Sequence, residues 1–238
     1  MNKIEDLKVK IFADGADKVG MLEMNEKSYI KGLTTNPTLM NKAGIRDYRA
    51  FCKDILTIIR NKPLSFEVFS DDFREMENQA LEIASWAENV YVKIPITNTK
   101  NEPCYELVKK LANQKVKLNI TALMTEDQVK NVVKSLNPLT PSYISIFAGR
   151  IADTGRDPIP IMTSSLEIMK SNPLSELIWA SPRELLNIFQ ADDIGCHVIT
   201  VTHDILKKLS LVGYDLNKYS LDTVKMFYND AIVAGYKL

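Results

Sequence analysis

Short apolar runs alternate with longer amphipathic stretches along most of the chain. The short runs are five to eight residues long and rich in Val, Ile, Phe and Tyr, the length and composition of strands. They are KIFAD (10–14), GLTTN (32–36), LSFEVF (64–69), VYVKIPI (90–96), VKLNITAL (116–123), YISIFAG (143–149), LIWAS (177–181) and HVITVT (197–202). Between them apolar residues return at helical spacing. Phe51, Ile55, Ile58 and Ile59 share one helix face, as do Val129, Val132, Val133 and Leu136. The stretch 71–88 opens with acidic residues, which suit the positive end of a helix dipole. Thr125 is placed to cap the helix after it, and Pro182 to sit in the first turn of another. THDILKKLS (202–210) and SLDTVKMFYNDAIVAG (220–235) complete the helical set.

The strand–helix unit recurs eight times in 238 residues, which predicts an α/β chain folded as a single (β/α)8 TIM barrel. The predicted domain is 1–238, with a C-terminal helical segment from about Gly213 that packs on the barrel or on a neighbour. A doubly wound open sheet is the alternative. It lacks support, because no G-x-G-x-x-G follows the first strand and no G-x-x-x-x-G-K-[ST] occurs.

Side chains alternate across a strand with period two. Val90, Val92, Ile94 and Ile96 therefore point one way, towards the helix layer, and Lys93 points into the barrel. By the same alternation Ser65 and Glu67 oppose Phe66 and Val68, and Asn119 and Thr121 oppose Leu118, Ile120 and Ala122. Ser145 and Phe147 oppose Ile144, Ile146 and Ala148, while Trp179 and Ser181 oppose Ile178 and Ala180. Asp14, Thr34 and Asn36 close the first two strands with the same polarity. Asp14, Thr34, Asn36, Glu67, Lys93, Asn119, Thr121, Ser145 and Ser181 thus share one side, at the C-terminal ends of seven strands. Active sites of barrels lie at that end. Taken singly, each of these residues could equally satisfy a neighbour or face water.

Charge narrows the partners. Lys+Arg and Asp+Glu are 30 each, so no basic nucleic-acid stripe is expected. No apolar run approaches the ~18 residues of a membrane span, and the opening MNKIEDLKVK has no signal-peptide core. The expectation is a cytoplasmic protein without nucleic-acid or membrane partners. Cys52, Cys104 and Cys196 are widely spaced and read as packing thiols, and His197 and His203 as structural. With no C-x-x-C or H-E-x-x-H, no metal is expected; with no cofactor motif, no cofactor either.

The polar set holds one lysine, two carboxylates and several amides and hydroxyls. A lysine enclosed in a barrel loses hydration, which favours the free amine. Such an amine attacks ketones and aldehydes to form a Schiff base. Asp14 or Glu67 could move protons, and the amides and hydroxyls suit a polyhydroxylated substrate. The plainer alternative is that Lys93 is ion-paired with Glu67. Arg150, after the sixth strand, and Arg183, after the seventh, could clamp a phosphate, with Ser181 adding a donor at a helix mouth. Alone, each arginine would more often be a surface salt bridge.

The motifs resemble those of transaldolases, including the small transaldolase and fructose-6-phosphate aldolase branch. GLTTNPTL (32–39) is similar to the family's G-[VL]-T-T-N-P signature, and VKIP (92–95) to its Schiff-base strand. LNITAL (118–123), SIFAGRIADTG (145–155) and WASPRE (179–184) resemble later family segments, so the likeness runs from about residue 10 to 210. The resemblance implies Lys93 as Schiff-base nucleophile and Asp14 as acid/base for carbon–carbon cleavage. Glu67 and Thr121 would hold and activate the water of carbinolamine dehydration. Thr34, Asn36, Asn119, Ser145 and Phe147 would line the substrate, and Arg150, Ser181 and Arg183 would bind its phosphate.

The implied reaction moves a dihydroxyacetone unit between sugar phosphates: fructose 6-phosphate, sedoheptulose 7-phosphate, erythrose 4-phosphate and glyceraldehyde 3-phosphate. The alternatives are an aldolase that releases free dihydroxyacetone, and a non-catalytic sugar-phosphate binder on the same barrel. The aldolase branch carries glutamine and tyrosine where this chain has Glu67 and Phe147, which favours transfer. Small family members are often rings of subunits, so a homo-oligomer is expected. Two departures stand out. Ser-Pro-Phe at the sixth strand of many relatives is Ser145-Ile146-Phe147 here. WASPREL is tighter than the aldolase form and keeps the Ser-x-Arg spacing of larger transaldolases. The segment after Gly213 matches no family segment at this level.

Overall fold

A computed structural model describes residues 4–238; the first three residues of the opening segment, and of the predicted domain, lie outside it. The chain runs β1 (Lys10–Asp14), α1 (Lys18–Glu26), β2 (Ile30–Thr34), α2 (Pro37–Lys42), α3 (Tyr48–Ile58), β3 (Leu64–Glu67) and α4 (Phe73–Ala84). It continues β4 (Val90–Pro95), α5 (Tyr105–Asn113), β5 (Leu118–Leu123), α6 (Glu126–Ser135), β6 (Ser142–Ile146), α7 (Ala148–Asp153) and α8 (Ile159–Met169). It ends β7 (Ser175–Trp179), α9 (Leu186–Asp193), β8 (Val198–Thr202), α10 (His203–Leu206) and α11 (Leu216–Ala234). The strands close in sequence order into a barrel, with β8 pairing back onto β1 in parallel. This is the predicted (β/α)8 architecture.

Helix starts follow from local chemistry. Asp17, Asn36, Asp47, Asp72 and Asp215 each accept from the backbone N–H three residues on. Thr125 and Gln128 form a full capping box at α6, as the sequence predicts. Each such cap is worth about 0.5–2 kcal/mol.

Two buried layers result. The outer layer, between strands and helices, contains Phe66, Val92, Ile94, Leu118, Ile120, Ile144 and Ile146 together with Val129, Val132 and Val133 of α6. The inner one plugs the barrel below the cavity with Phe12, Tyr143, Ile178 and Val198, against which Tyr91 packs; Ala180 and Phe147 join this cluster from the cavity side. Phe12 meets Tyr143 edge-on at 5.6 Å, and Tyr91 lies 4.3 Å from Tyr143. The upper barrel is left to the polar residues.

Several expectations need correction. On β7 the phase is reversed: Ile178 and Ala180 face the barrel interior and Trp179 the helix layer. Residues 177–180 are apolar on both faces, so within that stretch polarity carried no phase information. Ser181 reaches the barrel mouth because its φ of 59° breaks the alternation. Pro182 is not in a first helical turn; α9 begins at Leu186, and Asn187 Oδ1 instead accepts from the Arg183 and Glu184 amides. Asn36 is the cap of α2 rather than the end of a strand, and Phe147 begins α7. Ile58 is exposed, and Cys52 takes its place beside Ile55 in the buried face of α3. α11 is helical, and none of its residues is buried. None of the helices among the described residues is long and apolar enough to cross a membrane.

Gly149 is the tightest point between two connections. A Cβ there would lie 1.6 Å from the Ser181 carbonyl oxygen. Gly149→Ala should therefore cost about 1–3 kcal/mol despite alanine's better helix propensity. Thermal unfolding should shift down by roughly 3–10 °C. An unchanged or raised midpoint would remove this contact from the account.

Candidate active site

A cavity of about 490 Å³ opens at the C-terminal mouth of the barrel, within the size range of small-molecule sites. Asp14, Thr34, Asn36, Lys93, Asn119, Thr121, Ser145, Phe147, Arg150, Ser181 and Arg183 all line it. Of the predicted site residues only Glu67 does not; it stands behind Lys93. Strand register explains the central row. Glu67 pairs with Lys93 and Lys93 with Asn119 across β3, β4 and β5, so the three side chains stand abreast.

Lys93 is 6% exposed. Its Nζ lies 3.2 Å from Glu67 Oε2 and donates to the Thr35 carbonyl at 3.1 Å. The ion pair named as the plainer alternative is thus formed. Carboxylate and amine stand at ion-pair distance, while the hydrogen bond from Nζ goes to the Thr35 carbonyl. Beneath them runs a buried chain: Ser145 Oγ donates to Asn119 Oδ1 at 2.7 Å, and Asn119 Nδ2 donates to Ser65 Oγ at 3.0 Å. This fixes the Asn119 amide. Thr121 is buried and lines the cavity, and its Oγ1 has no hydrogen-bond partner among the described residues.

Asp14 faces this group from β1. Thr34 Oγ1 donates to its Oδ1 at 2.7 Å, and the Thr34 and Thr200 hydroxyls are 2.5 Å apart. Burial raises the Asp14 carboxyl above its ordinary value of 3.8; the Lys93 charge, the Thr34 hydrogen bond and His203 oppose this more weakly. A carboxyl poised upward in this way can both take and return a proton nearer neutrality.

Arg150 and Arg183 stand on one rim. The Arg150 guanidinium lies over the Phe147 ring, 5.7 Å from its centroid. Arg183 is held by Asp153, whose Oδ1 accepts from Nε at 2.9 Å while Oδ2 pairs with Nη2. Ser181 is at no helix mouth, since α9 starts five residues later.

Thr38, Leu39, Lys42, Thr200, Thr202, Asp204 and Ile205 also line the cavity and were not among the predicted residues. Thr200 and Thr202 alternate in HVITVT, so the signal for them was present. Lys42 and Asp204 belong to the helices after β2 and β8, where strand periodicity gives no guidance.

Outside the cavity, Cys52, Cys104 and Cys196 are buried free thiols, each pushed up to about 12 mainly by burial. They are packing groups, as read. His197 Nδ1 accepts from the Leu177 amide at 3.0 Å. The ring of His203 fills the space left by Gly15 and Gly20.

A (β/α)8 barrel with an enclosed lysine, carboxylates and sugar-sized polar lining at its C-terminal mouth is of the enzyme class. The chain belongs to the transaldolase/fructose-6-phosphate aldolase family, whose model matches residues 11–234. A probable transaldolase of Methanococcus maripaludis strain C5 is 32% identical over 202 residues, 84% of this chain and 89% of its own. Another from Thermoanaerobacter sp. strain X514 is 32% identical over 231 residues, 97% of this chain and all of its own.

Solved structures agree on fold alone. One is a cube-shaped, highly porous protein cage designed by fusing symmetric oligomeric domains: TM-score 0.59, 9% identity, 96% of this chain and 82% of that one. A native KDPGal structure gives TM-score 0.54 at 7% identity, covering 82% of each chain. The family match passes Gly213 and takes in α11, further than the motifs alone reached.

The raised Asp14 carboxyl has a stability consequence. A group with a raised folded-state pKa favours folding fully below its unfolded pKa, and that contribution is lost as pH rises through the folded value. Asp14→Asn keeps an acceptor for Thr34 and carries no charge. It should melt a few degrees above wild type at pH 7–8, with the gap closing as pH falls towards about 4. A gap that is absent at pH 7, or that widens in acid, would contradict the burial argument.

Proposed function

We propose that the protein is a transaldolase that moves a dihydroxyacetone unit from a ketose phosphate to an aldose phosphate through a Schiff base on Lys93. The observation that carries this reading is the enclosed Lys93–Glu67 pair, abreast of Asn119 and facing Asp14 across a polar cavity. Glu67, at ion-pair distance from Lys93 Nζ, takes the proton whose loss frees the amine.

The amine adds to the C2 carbonyl of fructose 6-phosphate or sedoheptulose 7-phosphate. The resulting carbinolamine loses its hydroxyl as water, with the proton supplied from Glu67 and the departing water held by Thr121. The iminium is an electron sink. Asp14 takes the C4 hydroxyl proton, the C3–C4 bond breaks, and its electron pair moves into the iminium to give an enamine. The C4 half leaves as an aldose phosphate, glyceraldehyde 3-phosphate from fructose 6-phosphate or erythrose 4-phosphate from sedoheptulose 7-phosphate, and the other of the two is the acceptor. In the return direction the enamine attacks the acceptor aldehyde, Asp14 gives its proton to the new alkoxide, and water hydrolyses the iminium.

Asn36, Asn119, Ser145 and Thr34 suit the sugar hydroxyls. Asn36 Oδ1 is committed to the Leu39 amide, which leaves its N–H groups to donate. Arg150 and Arg183 supply the phosphate clamp, with Ser181 between them. A cytoplasmic homo-oligomer is part of the same reading. It is supported by balanced charge and by α11, which presents Leu216, Val224, Phe227, Ile232 and Val233 to solvent.

Two measurements test the proposal. Borohydride reduction in the presence of fructose 6-phosphate should add a three-carbon unit to Lys93, read by peptide mass. Lys93→Ala should lose both labelling and turnover. Labelling of another lysine, or an active variant, would refute the Schiff-base assignment, and a pure binder would not label at all.

The second measurement separates transfer from aldol release. A phenyl ring at Phe147 offers no proton to the enamine, whereas a tyrosine hydroxyl would. Wild type should form sedoheptulose 7-phosphate from fructose 6-phosphate and erythrose 4-phosphate readily, and free dihydroxyacetone slowly. Phe147→Tyr should raise the dihydroxyacetone share at fixed acceptor concentration. Equal cleavage by wild type with and without acceptor would reassign it as the aldolase.

A further inference from the structure

Asp153 ends α7, three residues after Arg150, and so shares its side of the helix. Its two carboxylate oxygens engage Nε and Nη2 of Arg183, which are the donors along one edge of the guanidinium. Arginine carries five N–H donors in a rigid plane. The edge formed by Nη1 and the outer hydrogen of Nη2 therefore remains for a second bidentate partner. Arg183 lines the cavity beside Arg150, and Asp153 does not.

The two connections that carry these residues are locked together. The Gly149 amide donates to the Ala180 carbonyl at 3.4 Å, and the Cα of Gly149 faces the Ser181 carbonyl with no room for a side chain. Backbone contact thus brings the two connections side by side, within reach for Asp153 and Arg183 to pair. The Asp153 carboxyl is held below its ordinary range, first by the hydrogen bond from Arg183 and then by the charges of Arg183 and Arg150. Among the described residues, Lys42 and Asp204 at the same mouth form no ion pair with either arginine and do not substitute for Asp153.

We infer that Asp153 is the positioning residue of the phosphate clamp: it fixes the plane of Arg183 so that the free guanidinium edge faces the cavity next to Arg150. The inference rests on the proposed reading of Arg150 and Arg183 as phosphate ligands. Without Asp153 the Arg183 side chain must be ordered at each binding event. Ordering one long side chain corresponds to roughly 2–12-fold in affinity. A carboxylate that merely occupied the phosphate's place would act in the opposite sense, and its removal would tighten binding.

The test uses the full chain as wild type, Asp153→Ala, Asp153→Asn and Arg183→Ala. For each variant the kcat and KM for fructose 6-phosphate are measured at saturating erythrose 4-phosphate. Inorganic phosphate affinity is read by calorimetric titration, and the melting point is recorded alongside. Asp153→Ala should raise KM for fructose 6-phosphate about 2–12-fold, weaken inorganic phosphate by the same factor, and change kcat less than twofold. Asp153→Asn keeps one acceptor oxygen for Nε and should fall between alanine and wild type. A lowered KM, or phosphate binding equal to wild type in both Asp153 variants, overturns the inference. So does a fall in kcat with KM unmoved, the mark of a merely structural role. If Arg183→Ala leaves KM and phosphate affinity unchanged, the clamp reading itself fails, and that failure is distinct from a defect confined to the Asp153 variants.

Discussion

Closure of eight parallel strands obliges every second side chain to enter a narrow interior that has no outside face. Everything at the site depends on how that interior is filled. In the lower barrel the inward positions are large and apolar, and Phe12, Tyr143, Ile178 and Val198 interlock there. In the upper barrel the inward positions are polar, and most of them find partners within the protein, as burial of polar groups demands. Lys93 meets Glu67 and the Thr35 carbonyl, Asn119 meets Ser65 and Ser145, and Asp14 meets Thr34. The polar network thus fills the part of the interior that the apolar plug leaves, and the same enclosure raises the Asp14 carboxyl.

The strands on which polarity and alternation agree were legible from the residues alone. In VYVKIPI a single lysine interrupts a branched apolar run, so its direction can be read without a structure. β7 shows the limit. Ile178, Trp179 and Ala180 are all apolar, the phase was set by Ser181, and Ser181 sits in a left-handed backbone conformation beyond the strand. A residue that leaves the period cannot report it. Thr200 and Thr202 were readable by the alternation used elsewhere, whereas Lys42 and Asp204 enter the cavity from helices whose approach depends on tertiary packing. The Asp153–Arg183 pair spans thirty residues and was likewise beyond any local pattern.

The resemblance and the bottom-up reading support different parts of the account. Family membership rests on a match across nearly the whole chain. The depth of the lysine, its carboxylate partner and the raised Asp14 carboxyl come from the geometry. α11 belongs to both: it lies within the family match, and it leaves a 19-residue helix with no buried residue of its own. Apolar surface of that extent on a helix normally belongs to an interface.

The aromatic plug has a kinetic meaning. A barrel sealed at its floor is a blind well, and what enters must leave by the mouth through which it came. In the proposed reaction the first aldose phosphate then occupies the way in for the second. Its departure has to precede arrival of the acceptor, so no complex holding both can form. On that proposed reaction, the two aldose phosphates share one entrance and compete for it.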